Sequence, residues 1–176
     1  TENLFKGPTW GSITEGETIQ WVDIENLSQL KALADSRDKE TLAKNYRLTC
    51  DLDMSGVEFP GIGSVSMPFT GMFDGQGHTV SYVTMTGNGS GTGFFNAIQG
   101  AVVKNLHLTD VNITGENQVG GLVGMAKAQL DQEDMAKNEA NLIGNCTVTG
   151  TVTATGHEPG CVGGLVGQNC KDYDKD

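Results

Sequence analysis

The strongest constraint on the fold is a hexapeptide that occurs twice without a change of letter. Val-Gly-Gly-Leu-Val-Gly stands at Val119–Gly124 and again at Val162–Gly167, and Gly91–Asn96 is a weaker copy in which Phe-Phe replaces Leu-Val. Such self-similarity is typical of repeat architectures, in which each unit buries its apolar side only against the next unit. The sequence therefore predicts that equivalent segments lie side by side.

A second repeated element precedes the two later copies. Asn105–Thr109 matches Asn145–Thr149, and Tyr82–Thr86 fits the same frame. The first interval between equivalent residues is 23 positions and the second is 40. An insertion over 126–142 explains the difference, because it is rich in Ala, Gln, Glu, Asp, Lys and Met, which favour helix over strand. A unit of about 23 residues with glycine turns indicates a solenoid.

Within each unit, apolar residues alternate with threonine, as in Thr147–Ala154. Period-two alternation with β-branched residues predicts half-buried strands. Stacking at the 23-residue period predicts two columns of inward side chains: Val83, Leu106 and Cys146 in one, and Met85, Leu108 and Val148 in the other. We assign the glycines to corners, where a positive φ is needed.

The first third of the chain has a different pattern. Asp23 is a candidate N-cap for a helix over about 24–35, and a strand with alternating apolar residues is predicted over 46–52. The apolar stripe of the helix consists of Leu27, Leu30, Leu33 and Ala34. An open solenoid end exposes unpaired strand edges. We therefore predict that this helix caps the first end.

The domain organisation follows from these assignments. Residues 1–22 are predicted to be an extension or linker, and 23–176 a single domain. No comparable cap is evident at the other end, where the charged segment 171–176 follows the last glycine-rich copy. This favours a fragment of a longer protein over a charged tail that keeps other chains from pairing with the last strand. An uncapped end would also allow two copies to pair end to end.

Charge and cysteine content limit the classes of partner. The net charge of −11 opposes binding to nucleic acid and to anionic membrane surfaces, and no apolar run is long enough to span a membrane. Cys50 and Cys146 fall in strand-like segments, where a thiol behaves as a small hydrophobe. Cys161 and Cys170 could form a disulfide in an oxidising compartment.

The glycine-rich copies carry a resemblance to a known family. Together with Tyr46–Gly56 and Pro68–Val80, they resemble the GLUG repeat region of bacterial cell-surface proteins, over about residues 21–169. The resemblance implies an all-β fold, a right-handed single-stranded parallel β-helix of about four or five turns. It also implies an extracellular or cell-surface location. Such repeats occur in adhesin-like proteins and in non-catalytic regions of secreted IgA-protease-like metallopeptidases, and the family has no shared catalytic residues.

Two groups of acidic residues are candidates for a metal-binding or catalytic site. Asp74–His78 places a carboxylate and an imidazole in a glycine turn, which suits a metal site or an acid–base pair. The simpler interpretation, which we favour, is a tight turn in which Asp74 accepts a hydrogen bond from its own backbone. Asp51 and Asp53 are expected on one outer strand face, but two carboxylates fall short of a calcium site.

Other motifs also lack a complete site. The loop Gly87–Gly93 imitates a nucleotide-binding loop, but a strand pattern follows it where a helix is required. Lys104, His107 and Asp110 are close in sequence, yet no equivalent residues recur in adjacent units, and we expect His107 to lie between Thr84 and Thr147. The chain contains no His-Glu-x-x-His motif of a zincin-type peptidase.

We therefore expect no catalytic, metal-binding or cofactor-binding residues. The predicted function is that of an adhesin-like, non-catalytic surface module that presents a rigid face for binding or acts as a spacer. Its expected partners are a host glycan, a matrix protein or other domains of the same polypeptide. The insertion 126–142 fits a binding loop and a polar surface loop with no binding role equally well. The alternatives are an accessory region of a secreted metallopeptidase and a carbohydrate-active β-helix fragment.

Overall fold

The computed structural model describes residues 18–128, 139–156 and 160–171. Within these ranges the chain forms sixteen strands and two short helices, and every strand pair is parallel.

The strands belong to four small sheets. The first sheet has the spatial order β1 (Trp21–Ile24), β2 (Asn45–Leu48), β4 (Met72–Asp74), β9 (Val102–Lys104) and β13 (Leu142–Gly144). The second sheet contains β3 (Leu52–Asp53), β5 (Thr79–Ser81), β10 (His107–Gly115) and β14 (Thr147–Ala154), and β6 (Thr84–Thr86) also pairs with β10. The third sheet contains β7 (Ser90–Thr92), β11 (Asn117–Gly120) and β15 (Val162–Gly163). The fourth contains β8 (Phe95–Gln99), β12 (Val123–Ala128) and β16 (Val166–Lys171).

The prediction of one regular β-helical solenoid is wrong. The strands of the described residues are divided among four separate parallel sheets, each of three to five strands. Individual strands are between two and nine residues long. The uniform 23-residue unit on which the prediction depended is not present. In the second sheet Thr79 pairs with His107, 28 positions later, and His107 pairs with Thr147, 40 positions later.

The change of period corrects one predicted contact in each column. In the first column Val83 lies opposite Val111 instead of Leu106, because Thr84 pairs with Asn112. Leu108 lies between Val80 and Val148, whereas Met85 pairs with Ile113. The cause is the long strand β10, which pairs first with β5 and then with β6. The offset is 28 positions in both pairings, and the register shift between Leu108 and Val111 belongs to the pairing of β10 with β14. The segment that begins at Tyr82 is therefore equivalent to the second half of β10.

The two identical hexapeptides lie side by side, as the repeat predicted. Val119 pairs with Val162, and Val123 pairs with Val166. In the first copy, Gly120, Gly121 and Gly124 are required for close approach and not for a positive φ. A Cβ at Gly121 would lie 2.6 Å from the side chain of Val148 and even closer to the carbonyl oxygen of Gly164.

The first helix is shorter than predicted and has a different cap. α1 spans Leu27–Asp35, and the side chain of Asn26 accepts a hydrogen bond from the Gln29 amide at 3.0 Å. Asp23 lies in β1 instead, where its carboxylate pairs with Arg47. The Asp23 carboxylate, which was the predicted N-cap of the helix, is therefore engaged by Arg47 instead.

The remaining differences in this region concern a short helix and a predicted strand. The helix α2 (Lys39–Leu42), which the sequence analysis did not predict, begins after an Asp38 cap. The predicted strand over 46–52 is divided between β2 and β3, which belong to different sheets because the chain turns between them.

The core is continuous and contains an aromatic cluster. Its rings are at most 1% exposed and belong to Phe59, Phe69, Phe73, Phe94 and Phe95. Phe94 stacks on Phe59 at 5.1 Å and contacts Phe95 at 5.4 Å between ring centroids. Rings at this spacing add about 0.5–1.5 kcal/mol per pair to the free energy gained from burial.

The helix expected in the insertion 126–142 is not found at its described ends. Residues 126–128 continue β12, because they pair with β8 on one side and β16 on the other, and Leu142 begins β13. The part from 129 to 138 lies outside the described residues. Cys161 and Cys170 are not joined by a disulfide. Among the described residues, no helix has the length and apolar character required to cross a membrane.

Candidate functional site

The outward side of the second sheet forms a polar face. Its strands place apolar residues inward and short hydroxyl or amide side chains outward, as period two requires. The polar face consists of Thr79, Ser81, Thr84, Thr86, His107, Thr109, Asn112, Thr114, Thr147, Thr149, Thr151 and Thr153. Strand spacing of about 4.8 Å sets the distance between its rows.

Side-chain hydrogen bonds link neighbouring strands across the polar face. His107 Nδ1 lies 2.8 Å from Thr147 Oγ1, and Thr109 Oγ1 donates to Ser81 Oγ at 3.0 Å. His107 pairs in register with Thr79 and Thr147, so the predicted neighbour Thr84 is replaced by Thr79. These bonds hold short side chains in fixed positions on a hydrogen-bonded sheet, which gives the polar face a defined shape.

A histidine–carboxylate contact lies at one edge of this sheet. His78 Nδ1 is 3.1 Å from Asp51 Oδ1, and the same oxygen accepts a hydrogen bond from the Thr79 amide at 2.9 Å. The backbone bond from Thr79 and then the bond from His78 hold the pKa of Asp51 below its usual value. Asp53 does not join this contact, because its carboxylate caps the turn at Ser55. The two aspartates therefore serve separate local structures.

Asp74 forms the turn that the simpler interpretation predicted. Its Oδ1 accepts a hydrogen bond from the Gln76 amide at 2.9 Å. The same oxygen accepts from Asn105 Nδ2 at 3.1 Å, and Asn105 Oδ1 accepts from Asn145 Nδ2 at 2.8 Å. We call Asp74, Asn105 and Asn145 the asparagine ladder. Asn105 and Asn145 have φ values of 53° and 50°, a conformation that asparagine adopts more readily than most residues.

The electrostatics of Asp74 are set by opposing effects. Burial raises the pKa of this carboxyl, but hydrogen bonds from Asn105 and Gln76 and the charge of Lys104 outweigh burial. The net pKa lies below the usual value. Lys104 Nζ is 3.4 Å from Asp74 Oδ2. The charged form of Asp74 is therefore a structural acceptor at the corner after β4.

The structure does not bring Lys104, His107 and Asp110 together. Lys104 pairs with Asp74 beside the first sheet, His107 bonds to Thr147, and Asp110 is exposed with a φ of 52° at the irregularity in β10. In the part of the chain that the structure describes, no group of three or more His, Cys, Asp or Glu side chains is arranged to hold a metal ion.

A cavity lies beside the loop that imitates a nucleotide-binding sequence. Its volume is about 320 Å³, and we call it the glycine-loop cavity. One wall is the segment 86–92, and the other contains Phe59, Pro60 and Ser64. Asn96 Nδ2 donates to the carbonyl oxygens of Pro60 and Gly63 on the second wall at 2.9 and 3.1 Å, and Asn96 Oδ1 accepts from the Gly93 amide, just after the loop, at 3.4 Å. The segment after this loop is the strand β8, so no helix N-terminus faces the cavity.

A second cavity of about 370 Å³ is lined mainly by small or apolar side chains between β12, β13 and β16. Its lining includes Ala126, Ile143 and Val166. It adjoins the insertion, whose residues 129–138 lie outside the described ranges.

Sequence reasoning missed the asparagine ladder and the glycine-loop cavity. The ladder had a sequence signal, because Asn105 and Asn145 begin the two copies of the second repeated element. The cavity had none, because its walls are about 30 positions apart in the chain and meet only through the parallel pairing of strands. The contact between Asp51 and His78 arises in the same way.

Comparison with known proteins gives one informative similarity. Halomucin from Haloquadratum walsbyi (strain DSM 16790 / HBSQ001) is 33% identical over 161 residues, an alignment that includes 82% of this chain. The chain spans only 2% of the length of that relative. No family model and no solved structure matches the chain.

Proposed function

We propose that this chain is a non-catalytic, adhesin-like module of an exported surface protein, and that it binds its partner through exposed polar groups on a rigid parallel-sheet scaffold. The observation that carries the proposal is the polar face. Twelve short hydroxyl, amide or imidazole side chains are held on hydrogen-bonded strands above a buried apolar layer. Polar groups in fixed positions bind with a smaller loss of conformational entropy than mobile ones.

The comparisons support a location outside the cell. The relative that is 33% identical is named Halomucin, a name that fits a surface protein, and the resemblance of the glycine-rich copies to the GLUG repeat region supports the same location. The net charge of −11 suits a solvated surface protein and opposes binding to nucleic acid. Partners are therefore sought among glycans and extracellular matrix proteins.

The arrangement of ionisable groups supports binding over catalysis. His78 and His107 make contacts with different residues, Asp51 and Thr147, and Lys104 is paired with Asp74. Glycoside hydrolysis requires two carboxyl groups about 5–10 Å apart across a substrate groove. Asp110 is the carboxylate nearest to His107 in sequence, and it lies at the backbone irregularity in β10.

The test combines binding and turnover on the purified chain. The immobilised chain is exposed to glycans and matrix proteins, and each retained partner is then analysed for cleavage. We expect retention of at least one partner with no cleavage. Turnover of a polysaccharide that is lost in His107→Ala would overturn the proposal and favour a carbohydrate-active protein. Retention of none of the partners would also overturn it and favour a spacer.

A further inference from the structure

We propose that the glycine-loop cavity is a binding site for a neutral saccharide, one or two sugar rings in size. The inference rests on the proposed function, since it names the ligand class and the place where a binding module would hold it. The cavity lies between the segment 86–92 and the Phe59–Ser64 segment, and it adjoins the polar face at Thr86.

The first argument is charge. None of the residues that line the cavity is ionisable, although the chain as a whole has a net charge of −11. An anionic ligand such as a phosphate would find no cation there and a cationic ligand would find no carboxylate, so either would lose hydration without an ionic partner. The lining therefore favours an uncharged ligand.

The second argument is the division of the lining into carbon and hydrogen-bonding groups. The apolar part of the lining comes from Phe59, Met85 and Pro60, of which Pro60 presents an exposed ring. Asn88 and Ser90 are exposed on the rim. A sugar ring presents C–H groups on its faces and hydroxyl groups at its edges. Pockets that bind small molecules combine an apolar lining with a few placed polar groups in the same way.

The third argument is that the walls are already in place. The Asn96 side chain donates to the Pro60 and Gly63 carbonyl oxygens on one wall, and its Oδ1 accepts a hydrogen bond at 3.4 Å from the Gly93 amide, directly after the loop that forms the other wall. Phe59 is fixed by stacking on Phe94. The space beside Gly89 in the loop is open, since a Cβ placed there would meet no atom within 4 Å. A preformed cavity reduces the entropy cost of binding.

The test is a screen of the purified chain on an array of neutral and acidic glycans, followed by an NMR titration of the ¹⁵N-labelled chain. The titration uses three neutral disaccharides: lactose, maltose and N,N′-diacetylchitobiose. We expect binding to neutral glycans, with amide shifts confined to 59–64 and 86–96. The double variant Asn88→Ala/Ser90→Ala should weaken binding about tenfold or more, because it removes two polar partners from an exposed rim.

The matched control is Gln20→Ala/Ser28→Ala, which removes an amide and a hydroxyl from exposed residues outside both the cavity and the polar face and should leave the affinity unchanged. Thermal melting of both variants checks that the fold is retained. Binding only to acidic glycans, binding to no glycan, or a loss of affinity in the control variant would overturn the cavity as the site. Retention of a partner on the polar face would leave the proposed function standing, whereas cleavage of the disaccharide would contradict the proposed function itself.

Discussion

The two copies of Val-Gly-Gly-Leu-Val-Gly have one sequence and two environments. In the first copy Val119, Leu122 and Val123 are fully buried, because strands lie on both sides of β11 and β12. In the second copy Val162 is 54% exposed and Leu165 is 36% exposed, because β15 and β16 are edge strands of the described sheets. The difference shows that the sequence pattern determines which side chain points inward, while the neighbouring strand determines how much that side chain stabilises the fold.

The largest expected difference in stability is between alanine variants of the equivalent leucines Leu122 and Leu165. Leu122→Ala should lower the free energy of unfolding by about 2–5 kcal/mol, because it leaves a cavity in a fully packed layer. Leu165→Ala should cost about 1 kcal/mol or less, since its side chain is already partly in water. Urea denaturation of the two variants measures the difference. Equal losses would show that the second copy is as deeply covered as the first.

Alanine substitutions of equivalent glycines should also lower the free energy of unfolding more in the first copy than in the second, but with a smaller difference. Gly121→Ala should cost about 1–3 kcal/mol, because its new methyl group would meet the carbonyl of Gly164 and the side chain of Val148. Gly164→Ala should stay within about 1 kcal/mol of the wild type, since a Cβ there meets no atom within 4 Å. Thermal melts are the measurement. A neutral Gly121→Ala would contradict the close approach of the two copies.

The asparagine ladder provides a third comparison of inner and edge positions. Asn105→Ala should cost about 2 kcal/mol, because it removes the bonds to Asp74 and Asn145 and places alanine at a positive φ. Asn145→Ala, at the end of the ladder, should cost about 1 kcal/mol. Asn105→Gly serves as the control, since glycine accepts the positive φ without restoring the bonds. Full recovery in this variant would assign the effect to the backbone alone.

The smallest expected effect is the contribution of Asp74 to the loss of folding stability at acid pH. The pKa of Asp74 is lowered in the folded protein, so its contribution is present above the unfolded value of 3.8 and is lost as pH falls through the folded pKa. Stability should therefore decline below about pH 4, and the decline should be shallower in Asp74→Asn. Denaturant titrations from pH 2 to pH 6 test this. An unchanged slope in the variant would exclude Asp74 as a source of acid sensitivity.

The repeats allowed the pairing of equivalent segments to be predicted, but not the arrangement of the sheets. Identical letters placed Val119 opposite Val162 because each apolar side needs the next unit to cover it. The 23-residue period failed because Tyr82–Thr86 resembles Asn105–Thr109 in pattern, while the strand pairing aligns its strand portion with Asn112–Thr114. Alternation alone fits either register, and only the fit of the core distinguishes them.

The candidate site was less accessible from the sequence. The turn at Asp74 was predicted because a carboxylate followed by glycine commonly caps its own backbone. The partner of His78 was not, because Asp51 lies 27 positions earlier and meets it only once β3 and β5 pair. The same holds for the walls of the glycine-loop cavity. Contacts between separate segments depend on register, which local patterns do not determine.

The alternation in β14 has an evolutionary consequence. Its outward threonines contribute to the surface, while Val148 and Val152 contact the core. Natural selection can therefore change the outward positions without disturbing the inward ones. Related chains on this scaffold should differ mostly in their outward residues and retain glycines and inward aliphatic residues at constant spacing.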